Sequence, residues 1–427
     1  MSVLDVAEPT RPGRFSRHVP ALLKENVPFR RFFAGQFVSL VGDQISLIAL
    51  PLVGVLVLHA GPAQMGYLTT AALLPNLLFS LHAGAWVDRH GRRRQVMLAT
   101  DLGRAALLLS IPIAYGLDLL TIGQLYVVGF LEGTLSVFFY VSYNVLFVAL
   151  VPRERYVEGQ SLLNGSRALS FVGGPSLGGL LVQALSAPVA LVADAISFLL
   201  SAFSLSRIHP EEPPTEPAEH GHLRAGASWI WRSPVIRPSL LASATINFFN
   251  FVFWALVILY ANRYLDIQPG ALGAVIAVAS LGAVIGSVVT GRIGKRIGIG
   301  PTYALGCLVF PAPLVLVPLA GGPHWLVLVC LTVAEFFSGF GVMLLDISAG
   351  AIKAAVVPDR LRARVSGAFM LVNYGVRPLG ALAGGLLGAE IGVRNTLWIA
   401  TIGAVAGVLW LLPSPVMHLR ELPETAE

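Results

Sequence analysis

The sequence predicts an all-α membrane protein of twelve transmembrane helices in two pseudo-symmetric six-helix bundles. Three features point there: a composition too apolar for a water-facing surface, twelve apolar runs long enough to cross a bilayer, and an internal echo that maps the second half onto the first. Of 427 residues, 55% are hydrophobic, 44 are glycine and only 12% are charged, against about 25% charged in an ordinary globular protein. The mean hydropathy is +0.74. So few charges cannot cover a surface in water, and the lipid bilayer is the partner the composition implies.

The net charge of +6 and the pI near 9.5 raise the question of nucleic acid, and the placement of the basic residues answers it. They stand in short clusters between apolar runs, such as Arg89, Arg92, Arg93 and Arg94, or Arg360, Arg362 and Arg364. That is a topology signal rather than a groove-binding face, so no nucleic-acid partner is expected. The two cysteines, Cys307 and Cys330, both lie in apolar runs and imply neither a disulfide framework nor a metal site. The first 28 residues are polar and broken by proline, with no apolar core of a cleavable signal peptide.

A helix needs about 20 apolar residues to cross the hydrocarbon. In order, residues 1–31 read as an N-terminal cytoplasmic tail, and the first bundle, 32–208, holds runs at 32–58, 64–87, 95–115, 121–150, 158–184 and 188–208. Residues 209–237, rich in Pro, Glu and His at their start, are too polar to span and form a cytoplasmic linker. The second bundle, 238–412, holds runs at 238–262, 270–291, 300–320, 324–350, 365–389 and 395–412, and 413–427 is a C-terminal cytoplasmic tail. An even count puts both termini on one side. With that side cytoplasmic, the outward loops hold only Arg263 and Arg394 of the 29 Lys and Arg residues, as the positive-inside bias demands. The expected location is the cell's inner or plasma membrane.

The halves echo each other. The stretch from Val151-Pro152 to the Gly-Gly-Leu-Leu at 178–181 aligns without gaps on that from Val357-Pro358 to the Gly-Gly-Leu-Leu at 384–387, an offset of 206 residues. A second echo sets Asp88 to Arg93 against Gly291 to Arg296, at an offset of 203. Parallel six-helix repeats with a substrate site at their interface are an architecture of alternating-access transporters.

The loop after the second run reads Gly84-Ala-Trp-Val-Asp88-Arg89-His-Gly91-Arg92-Arg93. Its glycines permit close helix packing and a tight turn, and its arginines hold the loop cytoplasmic. This string resembles the signature loop of the major facilitator superfamily, whose fold the twelve-run pattern then implies. In that family the loop latches the halves, which implies a conformational latch at Gly84, Asp88, Arg89, Gly91 and Arg92. The second-half copy has Gly291 where the acid stands, so the latch is one-sided. The fifth run carries Gly174-Pro175-Ser-Leu-Gly178-Gly179, small residues that let helices approach and a proline that removes a backbone donor. It resembles the motif that marks proton-exchanging exporters of the superfamily. Looser strings, Arg31 to Gln44, Asp101-Leu-Gly-Arg104 and Val151-Pro-Arg-Glu-Arg155, resemble the bacterial siderophore, macrolide and multidrug exporter branch.

Ionisable residues at helix centres cost about 3 kcal/mol on insertion scales, so each asks for a partner or a task. Asp101 and Arg104, three apart on one helix face, read as a structural ion pair, and Asp194 reads as structurally bonded on a peripheral helix. Asp43, Glu132 and Glu335, near mid-membrane, with Asp346 and Arg377, are the candidate proton-coupling residues. A carboxylate removed from water can take a proton from outside and release it inside as the pocket switches access. Polar and aromatic stripes on the first, fourth, seventh and tenth runs, which line the central cavity in the family, supply candidate substrate contacts at Gln36, Ser39, Ser136, Tyr140, Tyr143, Asn247, Asn250, Trp254 and Phe336. Ordinary interhelical hydrogen bonding is the alternative for any single one of them.

There is no phosphate-binding loop and no soluble stretch long enough to hold nucleotide. The expected protein is therefore a secondary transporter that exports an amphipathic small molecule (a drug, macrolide-like natural product or siderophore) by proton antiport, acting as a monomer. No cofactor is expected beyond the proton as coupling ion, and no metal. A proton-coupled importer or facilitator of the same fold is the nearest alternative. An intramembrane enzyme is remote, because no nucleophile or metal constellation emerges from the spacing.

Overall fold

The computed structural model describes residues 20–209 and 223–421, without the side chains of Leu81, Ala85, Asp88, His90, Leu223 and Arg224. Every regular element among the described residues is helical. A short α1 (Ala21–Glu25) leads into α2 (Val27–Leu52), where the Asn26 side chain caps the helix by accepting from the Phe29 amide at 2.9 Å. Pro51 removes a backbone donor near the end of α2, and the chain widens into a π-helical turn at Val53–Val57. There follow α3 (Pro62–His90), α4 (Arg93–Gly116), α5 (Ile122–Leu150), α6 (Tyr156–Ala184) and α7 (Ala187–Ser206). After the undescribed residues 210–222 come α8 (Leu223–Arg232), α9 (Ile236–Arg263), α10 (Pro269–Ile297), α11 (Ile299–Val309), α12 (Leu316–Leu319), α13 (His324–Val356), α14 (Asp359–Glu390) and α15 (Val393–Ala406).

Nine of the described helical segments are long and apolar enough to cross a membrane. The other three long helices, α3, α6 and α14, have 29, 29 and 32 residues and carry the Gly-rich strings quoted above. The ninth apolar run is broken: α11 stops at Val309 and resumes as α12 through a 3-10 turn at Ala312–Val315, because Pro311 and Pro313 cannot continue a regular helix. The linker is more structured than its composition suggests. Helix α8 packs on α14, with Gly226 against the Arg364 carbonyl and Ile230 buried.

Within the first half α2 packs on α6 and α7, α3 on α5, and α4 on α5 and α7; within the second α10 and α11 pack on α13, and α14 and α15 on α9. Two pairs dominate the junction of the halves, α6 with α10 and α3 with α14, and α9 adds smaller contacts to α3 and α2. The two main pairs are made by one contact used twice. A methyl added at Gly273 would meet the Pro175 carbonyl and the Gly179 Cα, and one added at Gly66 would meet the Ala381 carbonyl and the Gly385 Cα. Ala381 and Gly385 lie 206 residues after Pro175 and Gly179, the offset of the sequence echo. The repeat is therefore written into the joints as well as the chain. Glycine is required here because helices that touch backbone to backbone leave no room for a Cβ.

These joints sit at the helix ends remote from the linker, where the Arg263 guanidinium also donates to the Val55 carbonyl at 3.3 Å and the Gln183 amide donates to Gln268 Oε1 at 3.0 Å. Toward the linker, a Cβ added at Gly84, Gly165 or Gly291 would meet nothing within 4 Å. Gly84 thus makes no close helix contact, contrary to the reading of its loop. The seam is closed at the end remote from the linker, where both joints and two cross-half hydrogen bonds lie.

Candidate binding cavity

A cavity of about 550 Å³ lies beside the seam, within the range of roughly 300–1,000 Å³ usual for drug-sized ligands. Most of its wall belongs to the first half: Asp43, Gln44, Ser46 and Leu47 of α2, Leu68 and Thr69 of α3, Glu132, Ser136 and Tyr140 of α5, Arg167 and Phe171 of α6, and Asp194 of α7. The second half supplies a strip of α9 through Asn250, Phe251, Trp254 and Ile258.

A charged network stands behind the first-half wall. Arg104 is buried, and its guanidinium lies 4.1 Å from the Phe198 ring centre and 4.4 Å from that of Phe139. One end holds Asp101 at 2.5 Å; the other reaches Asp43 at 3.7 Å and donates weakly to Ser136 at 3.5 Å. Ser136 in turn donates to Glu132 Oε1 at 2.9 Å. The Asp101–Arg104 pair, read from spacing as merely structural, is therefore one end of a chain that reaches two cavity acids. The buried cation is stabilised by a carboxylate and two ring faces, and aromatic rings favour a guanidinium over their face.

Asp194 also corrects its reading. It is structurally bonded as expected, accepting from Ser46, and from Ser197 at 2.9 Å, but it faces the cavity rather than the periphery. Gly42 makes this possible, since a Cβ there would strike Ser197 and Asp194, so α7 comes down directly onto α2. Gly42 on α2, opposite Ser197 and Asp194 of α7, was the sequence signal for this residue, legible only once α2 and α7 are known to touch.

The other predicted site residues divide. Asp43, Glu132, Ser136, Tyr140, Asn250 and Trp254 line the cavity. Gln36 and Ser39 do not: both are buried, and the Gln36 amide donates to Ser201 at 3.4 Å. Tyr143 stacks on Phe32 at 5.3 Å in a separate apolar cluster. Asn247 donates to Asn373 Oδ1 at 3.1 Å and accepts from Arg377 Nε at 3.2 Å. Arg377 lies 4.6 Å from the Tyr374 ring centre and 5.3 Å from that of Phe251, one layer behind the α9 strip.

The tenth run, helix α13, supplies nothing to the cavity. Its small residues decide this: Gly339 abuts Ala279 of α10, the Phe336 carbonyl abuts Gly282, and Gly341 abuts α11. Phe336 packs edge-on to Phe337 at 5.3 Å, and Glu335 is buried in the helix packing. Asp346, exposed, lies within electrostatic reach of Arg377 and Lys353. The stripe that looked like a cavity face is a helix-packing face.

In the loop after α3, Gly91 caps the helix at φ +61°, a left-handed conformation that costs a side chain dearly, and its amide donates to the Val87 carbonyl at 3.1 Å. Arg89 and Arg92 are exposed, and the Asp88 side chain lies outside the described residues. In α6, a Cβ added at Gly174 would strike the Gln44 side chain, one at Gly178 would press on the Ile45 backbone, and one at Gly179 would strike the Pro269 carbonyl across the seam. That string packs one helix simultaneously against its own half and the other. No group of three or more His, Cys, Asp or Glu side chains able to hold a metal occurs among the described residues.

The family model described as Major Facilitator Superfamily matches this chain over residues 32–334 and 239–427. The multidrug efflux pump Tap of Mycolicibacterium fortuitum is 23% identical over 89% of this chain and 93% of its own length. The enterobactin exporter EntS of Escherichia coli O1:K1 / APEC is 24% identical over 95% of both chains. A bacterial homologue of the iron transporter ferroportin, solved in an inward-facing state, superimposes with a TM-score of 0.71 at 16% identity, over 92% of this chain and 99% of that one.

Proposed function

This chain belongs to the major facilitator superfamily, and from that premise we propose that it exports an amphipathic small molecule by proton antiport with alternating access. It is a multi-span membrane transporter, not an enzyme. We further propose that all twelve long helical segments span, as two six-helix bundles at 32–208 and 238–412 joined by the 209–237 linker, with both termini in the cytoplasm. The linker side is then the inner side.

One observation carries the reading: a cavity of about 550 Å³ beside the seam that presents Asp43, Glu132 and Asp194 on one wall and aromatic rings on the other. Acids held between helices in lipid are costly without a task. Asp43 and Glu132 both connect through short polar links to buried Arg104, so a change of charge at either is felt by one shared network. A proton entering from outside and a substrate leaving from inside are coupled when each prefers a different conformation. The similarity to Tap and EntS, named as an efflux pump and an exporter, and the Gly174-Pro175-Ser-Leu-Gly178-Gly179 string favour export over import. A monomer suffices for this scheme.

Inside-out vesicles carrying the protein, given an acid interior and a chemically varied panel of amphipathic compounds, should accumulate at least one compound, and a protonophore should abolish the accumulation. Asp43→Asn or Glu132→Gln should abolish or uncouple it with the protein still inserted, whereas wild-type transport in both variants would remove the coupling assignment. Movement only in the opposite direction would make the protein an importer.

A further inference from the structure

The cavity walls differ in charge, and we propose that the substrate is an organic monocation with an apolar body, its charged end held by Asp43, Glu132 and Asp194 and its body against Phe171, Phe251 and Trp254. This inference rests on the cavity being the substrate site, as proposed above, and names what fills it.

The charges on the wall are three carboxylates and one guanidinium, that of Arg167. Arg167 is exposed, so water screens its charge. Arg104 is already taken: Asp101 holds one end of it at 2.5 Å, and it stands behind the wall rather than on it. Glu132 and Asp194 have no basic side chain within salt-bridge distance among the described residues. Their hydrogen bonds come from serine hydroxyls, Ser136 to Glu132 and Ser46 and Ser197 to Asp194. Hydroxyls orient a carboxylate but leave its charge uncompensated, and either the coupling proton or a cationic substrate completes such a site.

The opposite strip carries no charged side chain. Asn250, Phe251, Trp254 and Ile258 are its members, and Arg377 lies behind Phe251 with Asn247 as its partner. The Asn250 side-chain oxygen is buried without a hydrogen-bond partner among the described residues. That is an acceptor waiting for a donor, again the polarity of a protonated or N–H-bearing ligand. Tyr140 and Phe171, both exposed toward open space, and Trp254 supply ring faces that attract a cation and bury an apolar body.

The test uses two probes of one size and shape with opposite charge, tetraphenylphosphonium and tetraphenylborate, each titrated separately against the full-length protein in lipid nanodiscs, with empty nanodiscs as background. The phosphonium should bind saturably, and the borate at least about tenfold more weakly, a gap of about 1.4 kcal/mol. Asp43→Asn combined with Glu132→Gln should weaken phosphonium binding by a similar factor, and Trp254→Ala should weaken it less. Equal binding of the two probes, no phosphonium binding above background, or wild-type phosphonium affinity in a well-folded double variant would each overturn the inference. If that variant does not fold, the wild-type comparison of the two probes still decides. Gradient-driven movement of an anion or neutral compound by a protein that ignores the phosphonium would refute the cation and leave the exporter standing. Saturable phosphonium binding without gradient-driven movement of any compound would do the reverse.

Discussion

The seams that join the two halves are alike, and the walls they bring together are not. Gly273 meets Pro175 and Gly179 on one seam as Gly66 meets Ala381 and Gly385 on the other. Across the cavity, by contrast, the first half offers three acids backed by Arg104, and the second offers an amide and apolar strip with Arg377 set back behind it. Both joints lie at the same end of the helices and close it together, so their geometry has to match. The binding chemistry has no such requirement, so one half is free to hold the charge and the other to supply a dry surface.

The charged wall should break first. Arg104→Ala leaves Asp101 buried beside two aromatic rings with no counter-ion, and losing one partner of a buried pair typically costs about 3–5 kcal/mol. The variant should fail to accumulate or unfold well below the wild type in a thermal-shift assay, and Arg104→Ala with Asp101→Asn should recover part of the loss. A wild-type melting temperature for Arg104→Ala would refute the hub. The seams come next. Gly66→Ala and Gly273→Ala each force a Cβ against backbone carbonyl, an overpacking worth about 1–3 kcal/mol. Because the contacts are repeats, the two variants should weaken the closed end by similar amounts, read as increased reactivity of cysteines introduced at the end remote from the linker. Strongly unequal effects would mean that the repeat is one of sequence only. The second-half wall should matter least: Asn373→Ala removes one hydrogen bond to Asn247, worth about 0.5–1.5 kcal/mol, and should change transport rate only modestly.

Much of the fold was legible in the sequence because the bilayer imposes a length and a polarity on each crossing, and the apolar runs coincide with the long helices to within a few residues. The cavity was half legible. Asp43, Glu132, Ser136 and Tyr140 recur at helical spacing on polar stripes, and they line the cavity together. The same logic misplaced Glu335 and Phe336. A stripe that mixes polar and small residues suits a cavity and a tight helix contact equally, and Gly339 against Ala279 resolves it toward contact. Asp194 was misjudged for the complementary reason: its role depends on Gly42 of another helix, 152 positions away.

By itself, then, the sequence determined the solvent, the helices and the repeat. These follow from local composition and from a spacing the chain carries in one dimension. Tertiary structure alone decided which acids share a space and which arginine serves them, because those depend on how helices rotate about their axes and which partners they find.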